Sequence, residues 1–106
     1  PFGHAALACA DTVLGCETCE ELFTPRAPHI ALGLHGVEVV GNGSGSHHEL
    51  RKLRTRVELV CGATRKSGGV YVYANQRGCD GERTYYDGTA MVACNGELLV
   101  QTPQFA

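Results

Sequence analysis

Two cysteines three positions apart are the first residues in this sequence whose type and spacing could do chemistry. Cys16 and Cys19 form a C-x-x-C pair, which can belong to a zinc site, a thiol–disulfide exchange centre or a single cysteine nucleophile. A structural zinc site needs four ligands, and the sequence has no second C-x-x-C and no H-x-x-x-H. Its adjacent histidines, His47 and His48, would point in different directions on a helix. We therefore predict no metal site.

The position of Cys19 favours a nucleophile over a redox pair. A redox C-x-x-C begins a helix, whereas Cys16 lies inside residues 13–18, a run that predicts a strand. Cys19 comes where that strand ends, and a cysteine there would present its thiol at the edge of a sheet. A buried structural cysteine is the alternative. Three glutamates lie within two residues of Cys19 and would disfavour a thiolate, so a reactive thiol needs a cation or a base from elsewhere.

A run of small residues, 41–46, could hold an anion. It follows a predicted strand and precedes a predicted helix, and Ser46 with Glu49 forms an S-x-x-E capping box. Ser46 could act only as the helix cap, or it could also help to bind a substrate carboxylate with Arg51 or Lys52. The run is not a phosphate-binding P-loop, because no Gly-Lys-Ser/Thr follows it.

Apolar spacing and turn chemistry predict the elements that position these residues. Strands are expected over residues 5–10, 13–18, 37–40 and 70–74, and residues 75–84 read as irregular. Asn95-Gly96 and Asp87-Gly88 are both dipeptides of the type I′ turn. The first of them lies between the apolar runs 91–94 and 97–100, which predicts a β-hairpin.

Two helices are expected between the strands. Thr24 before Pro25 marks a helix start, with the helix over residues 27–34 and its end at Gly36. The second helix follows Ser46 and ends at residues 67–69. Its apolar face is predicted to carry Leu50, Leu53, Val57 and Val60, and its other faces Arg51, Lys52, Arg54 and Arg56. Strands alternating with helices predict a layered α/β or α+β sheet.

Composition limits the classes of protein and partner. The chain has 106 residues, of which 43% are hydrophobic and 19% charged, as in one globular domain. Its net charge of −2 argues against nucleic acid and anionic membranes as partners, and no apolar run reaches the roughly 18 residues of a membrane span. Cys9, Cys61 and Cys94 lie in apolar runs and are expected in the core. Without a secretory signal pattern, we expect a cytoplasmic protein with reduced thiols.

Three stretches resemble the nitrilase, or carbon–nitrogen hydrolase, superfamily. They are CEELFTP at residues 19–25, NGSGSHH with LRK within residues 42–52, and ANQRGCDG with YYDG within residues 74–88. The second and third stretches are similar to one branch, the glutaminase domains of glutamine-dependent NAD synthetases, and the similarity extends over residues 1–106 in one register. The resemblance implies an α+β fold, an α-β-β-α sandwich with two sheets between helical layers.

The resemblance also implies a mechanism. The family uses a Glu-Lys-Cys triad, in which Cys19 matches the nucleophile that attacks the side-chain amide of glutamine. The Lys stabilises the oxyanion and the Glu moves the proton. A thioester forms, ammonia leaves and water releases glutamate. The backbone N–H of Glu20 matches part of the oxyanion site. Ser46 and Lys52 match positions that hold the α-carboxylate or α-amino end of glutamine, with Arg51 as the neighbouring alternative to Lys52.

Part of the triad has no match in the sequence. Only 18 residues precede Cys19, they contain no lysine, and Glu17 is too near to be the distant base. We therefore expect residues 1–106 to be the C-terminal part of a glutaminase domain, lacking its N-terminal part and the synthetase domain, and to be inactive alone. The resemblance implies ATP and magnesium only for the synthetase domain, no cofactor here, and a homo-oligomer when intact. The alternatives are a fragment of another amidase of the superfamily and a non-catalytic or redox C-x-x-C module.

Overall fold

The computed structural model describes residues 3–106 and contains a mixed β-sheet, a short β-ribbon and helices on one side of the sheet. The strands are β1 Ala6–Ala8, β2 Val13–Thr18, β3 Val39–Ser44, β4 Val70–Asn75, β5 Arg77–Cys79, β6 Tyr85–Asp87, β7 Ala90–Cys94 and β8 Glu97–Gln101. A 3₁₀ helix spans Cys19–Phe23, and the α-helices are α1 Pro28–Leu34 and α2 Lys52–Ser67.

The sheet brings the ends of its parallel strands to one edge. Its order is β1-β2-β3-β4-β7-β8, with β2, β3 and β4 parallel and the outer strands antiparallel to their neighbours. Strands β5 and β6 form the separate ribbon. Because β2, β3 and β4 run the same way, the residues that follow Thr18, Ser44 and Asn75 lie at the same edge, where sites in open sheets usually form.

The helices cover one face of the sheet and form the core with it. Tyr71 and Tyr73 of β4 and Met91 of β7 alternate with exposed or partly buried neighbours and are at most 1% exposed. The rest of the core cluster comes from the helices, from the segments beside them and from strands β3 and β7, and consists of Leu22, Leu32, Val37, Val40, Val60, Cys61, Ala63 and Ala93. Close packing also requires Gly69, whose φ is +79° and whose Cβ would collide with the carbonyl oxygen of Glu38.

The other face of the sheet is open in the described residues. Gly41, Val72, Val92 and Val100 are register partners in one row across β3, β4, β7 and β8. Val72 is 39% exposed and Val100 55% exposed. The described part of the chain therefore provides one sheet and one helical layer of an α+β sandwich. None of its helices is long and apolar enough to cross a membrane.

Two predicted boundaries around the small-residue run are wrong. Strand β3 continues through Ser44, because Gly41 and Gly43 pair with both β2 and β4 and tertiary pairing outweighs their weak strand propensity. Helix α2 begins at Lys52, with Arg51 before it in a left-handed conformation of φ +67°. The predicted capping box is therefore absent, and Leu50 is 89% exposed instead of facing the core.

Of the other predicted elements, one turn is confirmed and three local predictions are wrong. The hairpin at Asn95-Gly96 is confirmed, with φ values of +48° and +90°. Asp87-Gly88 is not a type I′ turn, because Asp87 ends β6 and the positive φ values fall on Gly88 and Thr89. The irregular stretch 75–84 contains β5. Thr24 does not cap a helix N-terminus; it ends the 3₁₀ helix and donates to the Glu21 carbonyl oxygen.

The cysteines differ in burial from the expectation. Cys61 is buried as predicted and Cys94 is partly buried. Cys9 is exposed because it lies in the turn that follows the short edge strand β1. All six thiols are unpaired.

Candidate active site

Cys19 lies where the chain turns abruptly out of the sheet. Thr18 has extended backbone angles, φ −124° and ψ 125°, whereas Cys19 has φ +49° and begins the 3₁₀ helix. A non-glycine residue in the left-handed region is uncommon and usually marks a site with a special constraint. The turn is fixed on one side by Glu21, whose carboxylate accepts the Thr18 N–H at 2.7 Å. Cys19 is therefore at a strand end, as the sequence predicted.

A cleft of about 290 Å³ opens beside Cys19. It is formed by the 3₁₀ helix, by the connection after β3 and by the first residue of α2. The lining residues are Cys19, Glu20, Phe23, Gly45, Ser46, His47 and Lys52. All four residues singled out from the sequence therefore line one cavity, although they come from positions 19 to 52 of the chain.

Lys52 supplies positive charge to this cleft. Its side chain is 17% exposed, and its Nζ lies 3.9 Å from Oε1 of Glu49, which also forms a 2.7 Å hydrogen bond with Nε2 of His47. The hydrogen bond with His47, and then the charge of Lys52, hold the pKa of the Glu49 carboxyl below its usual value. Arg51 is exposed and does not line the cleft. Of the two candidate cations, Lys52 thus reaches the cleft.

Ser46 is held in place by hydrogen bonds with side chains of α2 and β4. Its N–H donates to Oδ1 of Asn75 at 2.8 Å, and its carbonyl oxygen accepts from Asn75 Nδ2 at 3.0 Å and from Arg56 Nη2 at 3.1 Å. Its Oγ accepts from Arg56 Nε at 3.2 Å. Ser46 is 5% exposed. The backbone N–H is thus occupied, and the side-chain hydroxyl hydrogen remains for another acceptor.

Arg56 is a structural residue of this site that the sequence analysis placed wrongly on an outer helix face. It is 0% exposed, and its Nη1 donates to Oδ2 of Asp87 at 2.6 Å. Burial by itself would raise the pKa of Asp87, but the hydrogen bonds from Arg56 and Gln104 outweigh it and hold that pKa below its usual value. Helical spacing contained the signal, since Arg56 is three residues after Leu53 and four before Val60.

A second buried network lies behind Cys19 and was missed by the sequence analysis. The Glu17 carboxylate, with Glu17 3% exposed, accepts the His29 N–H at 2.8 Å, lies 3.1 Å from the His29 ring Nδ1, and accepts the Tyr71 hydroxyl. Burial would raise the pKa of Glu17, but the bonds from His29 and Tyr71 hold it below its usual value. Burial, and then the bond to Glu17, raise the pKa of Tyr71. The charge of Glu17 is thus compensated inside the protein.

Asn42 joins this network to Cys19. Its Oδ1 accepts the Cys19 N–H at 2.9 Å, and its Nδ2 donates to the Tyr71 hydroxyl at 2.9 Å. Ser44 Oγ also donates to Asn42 Oδ1 at 2.8 Å. Among residues 3–106, no group of three or more His, Cys, Asp or Glu side chains is arranged to hold a metal ion. In the described part of the chain, hydrogen bonds hold the Cys19 backbone and Lys52 places an ammonium in the same cleft.

Comparisons with known proteins agree with this geometry. The carbon–nitrogen hydrolase family model matches residues 1–106. The glutamine-dependent NAD(+) synthetase of Saccharomyces cerevisiae is 60% identical over 106 residues, which are 100% of this chain and 15% of the yeast protein. The human glutamine-dependent NAD(+) synthetase is 58% identical, with the same coverage. The chain thus spans about 15% of the length of the curated relatives it matches.

Comparison with solved structures indicates the same family. The glutamine-dependent NAD(+) synthetase from Cytophaga hutchinsonii is 30% identical with a TM-score of 0.85, covering 100% of this chain and 17% of that one. An amidase of the nitrilase superfamily from Nesterenkonia AN1 is 17% identical with a TM-score of 0.81, covering 97% of this chain and 38% of that one, a likeness that shows the fold alone. By sequence and by fold, the chain belongs to the carbon–nitrogen hydrolase family.

Proposed function

We propose that this chain is the nucleophile-bearing part of a glutaminase domain in a glutamine-dependent NAD synthetase. The observation that carries the proposal is the cleft that Cys19 shares with Ser46 and Lys52. The 60% identity to the yeast synthetase supports the choice of this branch over the simple amidases, whose identity to this chain is much lower. The released ammonia would serve an ATP- and magnesium-dependent synthetase domain in the cytoplasm, and no cofactor is assigned to residues 1–106.

In this proposal the Cys19 thiolate attacks the side-chain amide carbon of glutamine. The bond from sulfur to carbon forms and the carbonyl oxygen becomes an oxyanion. The Glu of the family triad passes the proton taken from the thiol to the amide nitrogen, so that collapse breaks the carbon–nitrogen bond, expels ammonia and leaves a thioester that water hydrolyses to glutamate. Glu20 lies in the first turn of the 3₁₀ helix, where its N–H has no acceptor within the helix and can donate to the oxyanion. This proposal uses the Glu and Lys of the family triad, which have no match among residues 1–106, and it therefore expects residues 1–106 to be inactive alone.

Lys52 and Ser46 are assigned to the α-carboxylate of glutamine. The Lys52 ammonium lies in a partly enclosed cleft, where the attraction of a carboxylate is screened less than at an open surface. The Ser46 hydroxyl accepts from Arg56 and so donates its own hydrogen away from that side chain. These two groups would bind the ground state and the transition state alike, so their loss would raise KM more than it lowers kcat.

Replacing Lys52 by methionine in the intact protein is therefore expected to raise the KM for glutamine about 10–100-fold, the value of a hydrogen bond to a charged group, with kcat changed only a few-fold. Initial rates of ammonia release over a glutamine titration measure both constants. Lys66, the other lysine of the chain, lies at the end of α2 outside the cleft, so Lys66→Met is the matched control. Equal KM values for the two variants would remove Lys52 from the substrate site.

The substrate class is tested by a panel of amides and nitriles given to the intact protein. Glutamine should be hydrolysed with a kcat/KM at least about 100-fold above that of propionamide, because a site built for charged groups rejects an analogue that lacks them. Ammonia release is the readout for every substrate. Equal use of simple amides would favour the alternative, another amidase of the family. Hydrolysis of no amide or nitrile would favour the non-catalytic or redox module, which Cys16 supports poorly because it lies within β2 and not at a helix start.

A further inference from the structure

The side chain of Asn42 holds the backbone of the proposed nucleophile from both sides. Its Oδ1 accepts the Cys19 N–H at 2.9 Å, and its Nδ2 approaches the Cys19 carbonyl oxygen at 3.4 Å. Asn42 pairs with Glu17 in the register of β2 and β3, so its side chain continues the hydrogen bonding two residues further along β2. Where the chain leaves the sheet at Cys19, the Asn42 side-chain amide thus makes the hydrogen bonds that the backbone of a neighbouring strand would make.

The orientation of this amide is fixed by its other partners. Oδ1 receives a second donor, the Ser44 hydroxyl at 2.8 Å, and Nδ2 donates to the Tyr71 hydroxyl oxygen at 2.9 Å. Tyr71 in turn donates its only hydrogen to Glu17, so it can only accept from Asn42. If the amide oxygen and nitrogen were exchanged, the amide N–H groups would face the Cys19 N–H, and the amide oxygen would face the Tyr71 oxygen, which has no hydrogen left to donate. Asn42 is 3% exposed and has a single satisfied orientation.

The conformation of Cys19 explains why such a hold matters. Its φ of +49° lies in the left-handed region, which a non-glycine residue keeps only when its surroundings determine it. Displacement of a reacting atom by about 1 Å can cost about 100-fold in rate. A residue that fixes both peptide groups of Cys19 also fixes the point from which its thiol enters the cleft.

We propose that Asn42 is a positioning residue for the Cys19 nucleophile and that Tyr71, anchored on Glu17, sets the orientation of its amide. This inference rests on the proposed function of Cys19. It assigns Asn42 an effect on the chemical step, whereas Lys52 and Ser46 act on substrate binding.

The test compares Asn42→Ala, Tyr71→Phe and Tyr73→Phe in the intact protein. Asn42→Ala should lower kcat for glutamine about 10–100-fold with KM within about threefold, and Tyr71→Phe should lower kcat by a smaller factor. Tyr73 is the matched control, since it lies two residues further along β4, is 0% exposed, and its hydroxyl has no hydrogen-bond partner among the described residues. Tyr73→Phe should leave kcat within twofold.

Alkylation of Cys19 by iodoacetamide separates positioning from a general structural role. Because this small reagent needs no fixed approach, its rate with folded Asn42→Ala should stay within about threefold of wild type while kcat falls. An unchanged kcat in a folded but less stable Asn42→Ala overturns the inference. If Asn42→Ala does not fold, equal kcat values for Tyr71→Phe and Tyr73→Phe overturn it. Wild-type activity in Cys19→Ala would instead overturn the proposed function, a separate outcome.

Discussion

Replacing Cys19 by alanine in the intact protein is expected to abolish ammonia release from glutamine, with a loss of about 10⁴-fold or more. The thioester cannot form without the sulfur, and residues that act with a nucleophile as a unit recover little of the rate alone. NAD formation from added ammonia should continue, because in the proposed function that step belongs to the synthetase domain. Parallel assays with glutamine and with an ammonium salt measure the two activities.

Cys16 offers a control for the same type of substitution. It is exposed, lies within β2 and does not line the cleft, so Cys16→Ala should keep glutamine hydrolysis within about twofold of wild type. Loss of both activities in Cys19→Ala would indicate a folding defect, which circular dichroism would reveal. Full glutamine hydrolysis by folded Cys19→Ala would contradict the mechanism.

Replacing Arg56 by methionine should have the largest effect on stability, a loss of about 3–5 kcal/mol in the free energy of unfolding. The substitution leaves the carboxylate of Asp87, 1% exposed, without its buried counter-charge, and removes the donors to Ser46 and to the His47 carbonyl oxygen. Urea unfolding of the intact protein, followed by circular dichroism, measures the change. Glutamine binding should weaken as well, because Ser46 loses its support.

A second arginine in the same helix provides the comparison. Arg54 is exposed, with 84% of its side chain accessible, and pairs with Glu58 one turn later at 2.9 Å. Exposed pairs of this kind contribute about 0–1 kcal/mol, so Arg54→Met should lower stability by no more than that. Equal losses for the two substitutions would contradict the role given to the buried pair.

The pH dependence of the Arg56 effect has a definite sign. The pKa of Asp87 is held below its usual value in the folded protein, so its contribution to stability is complete above the unfolded pKa of about 3.9 and is lost as pH falls through the folded value. Without Arg56, burial raises the pKa of Asp87 in the variant, so protonation relieves the unpaired charge there at a higher pH than in wild type. The difference in unfolding free energy between wild type and Arg56→Met should therefore be largest near neutral pH and shrink as the pH falls. A difference that grew on acidification would contradict the assignment.

Local patterns predicted much of the framework. Residues 13–18 form β2, and Asn95-Gly96 forms the expected hairpin because both of its residues adopt positive φ. Cys19 lies at a strand end, and the family resemblance selected Ser46 and Lys52, which line its cleft. These features follow from interactions between residues close in sequence or from a family motif, and both can be recognised in a single sequence.

Long-range contacts account for what the sequence did not reveal. Strand β3 reaches Ser44 because β2 and β4 pair with it on both sides, although its glycines read locally as a loop. The network around Asn42 joins residues that are 23 and 29 positions apart, and Tyr71 meets Glu17 across 54 positions. Neither Asn42 nor Tyr71 carries a local signal, so their role became visible only when the strands were placed side by side.

The central claim, that Cys19 is the nucleophile, is tested most directly by mapping a covalent adduct. The intact protein would be treated with a glutamine analogue that carries an electrophilic diazoketone in place of the side-chain amide. Peptide mass spectrometry would then show which of the six cysteines of residues 1–106 carries the adduct. The account predicts one adduct, on Cys19, which excess glutamine prevents and Cys19→Ala lacks. An adduct on Cys16, or labelling spread over the exposed cysteines without protection by glutamine, would contradict it.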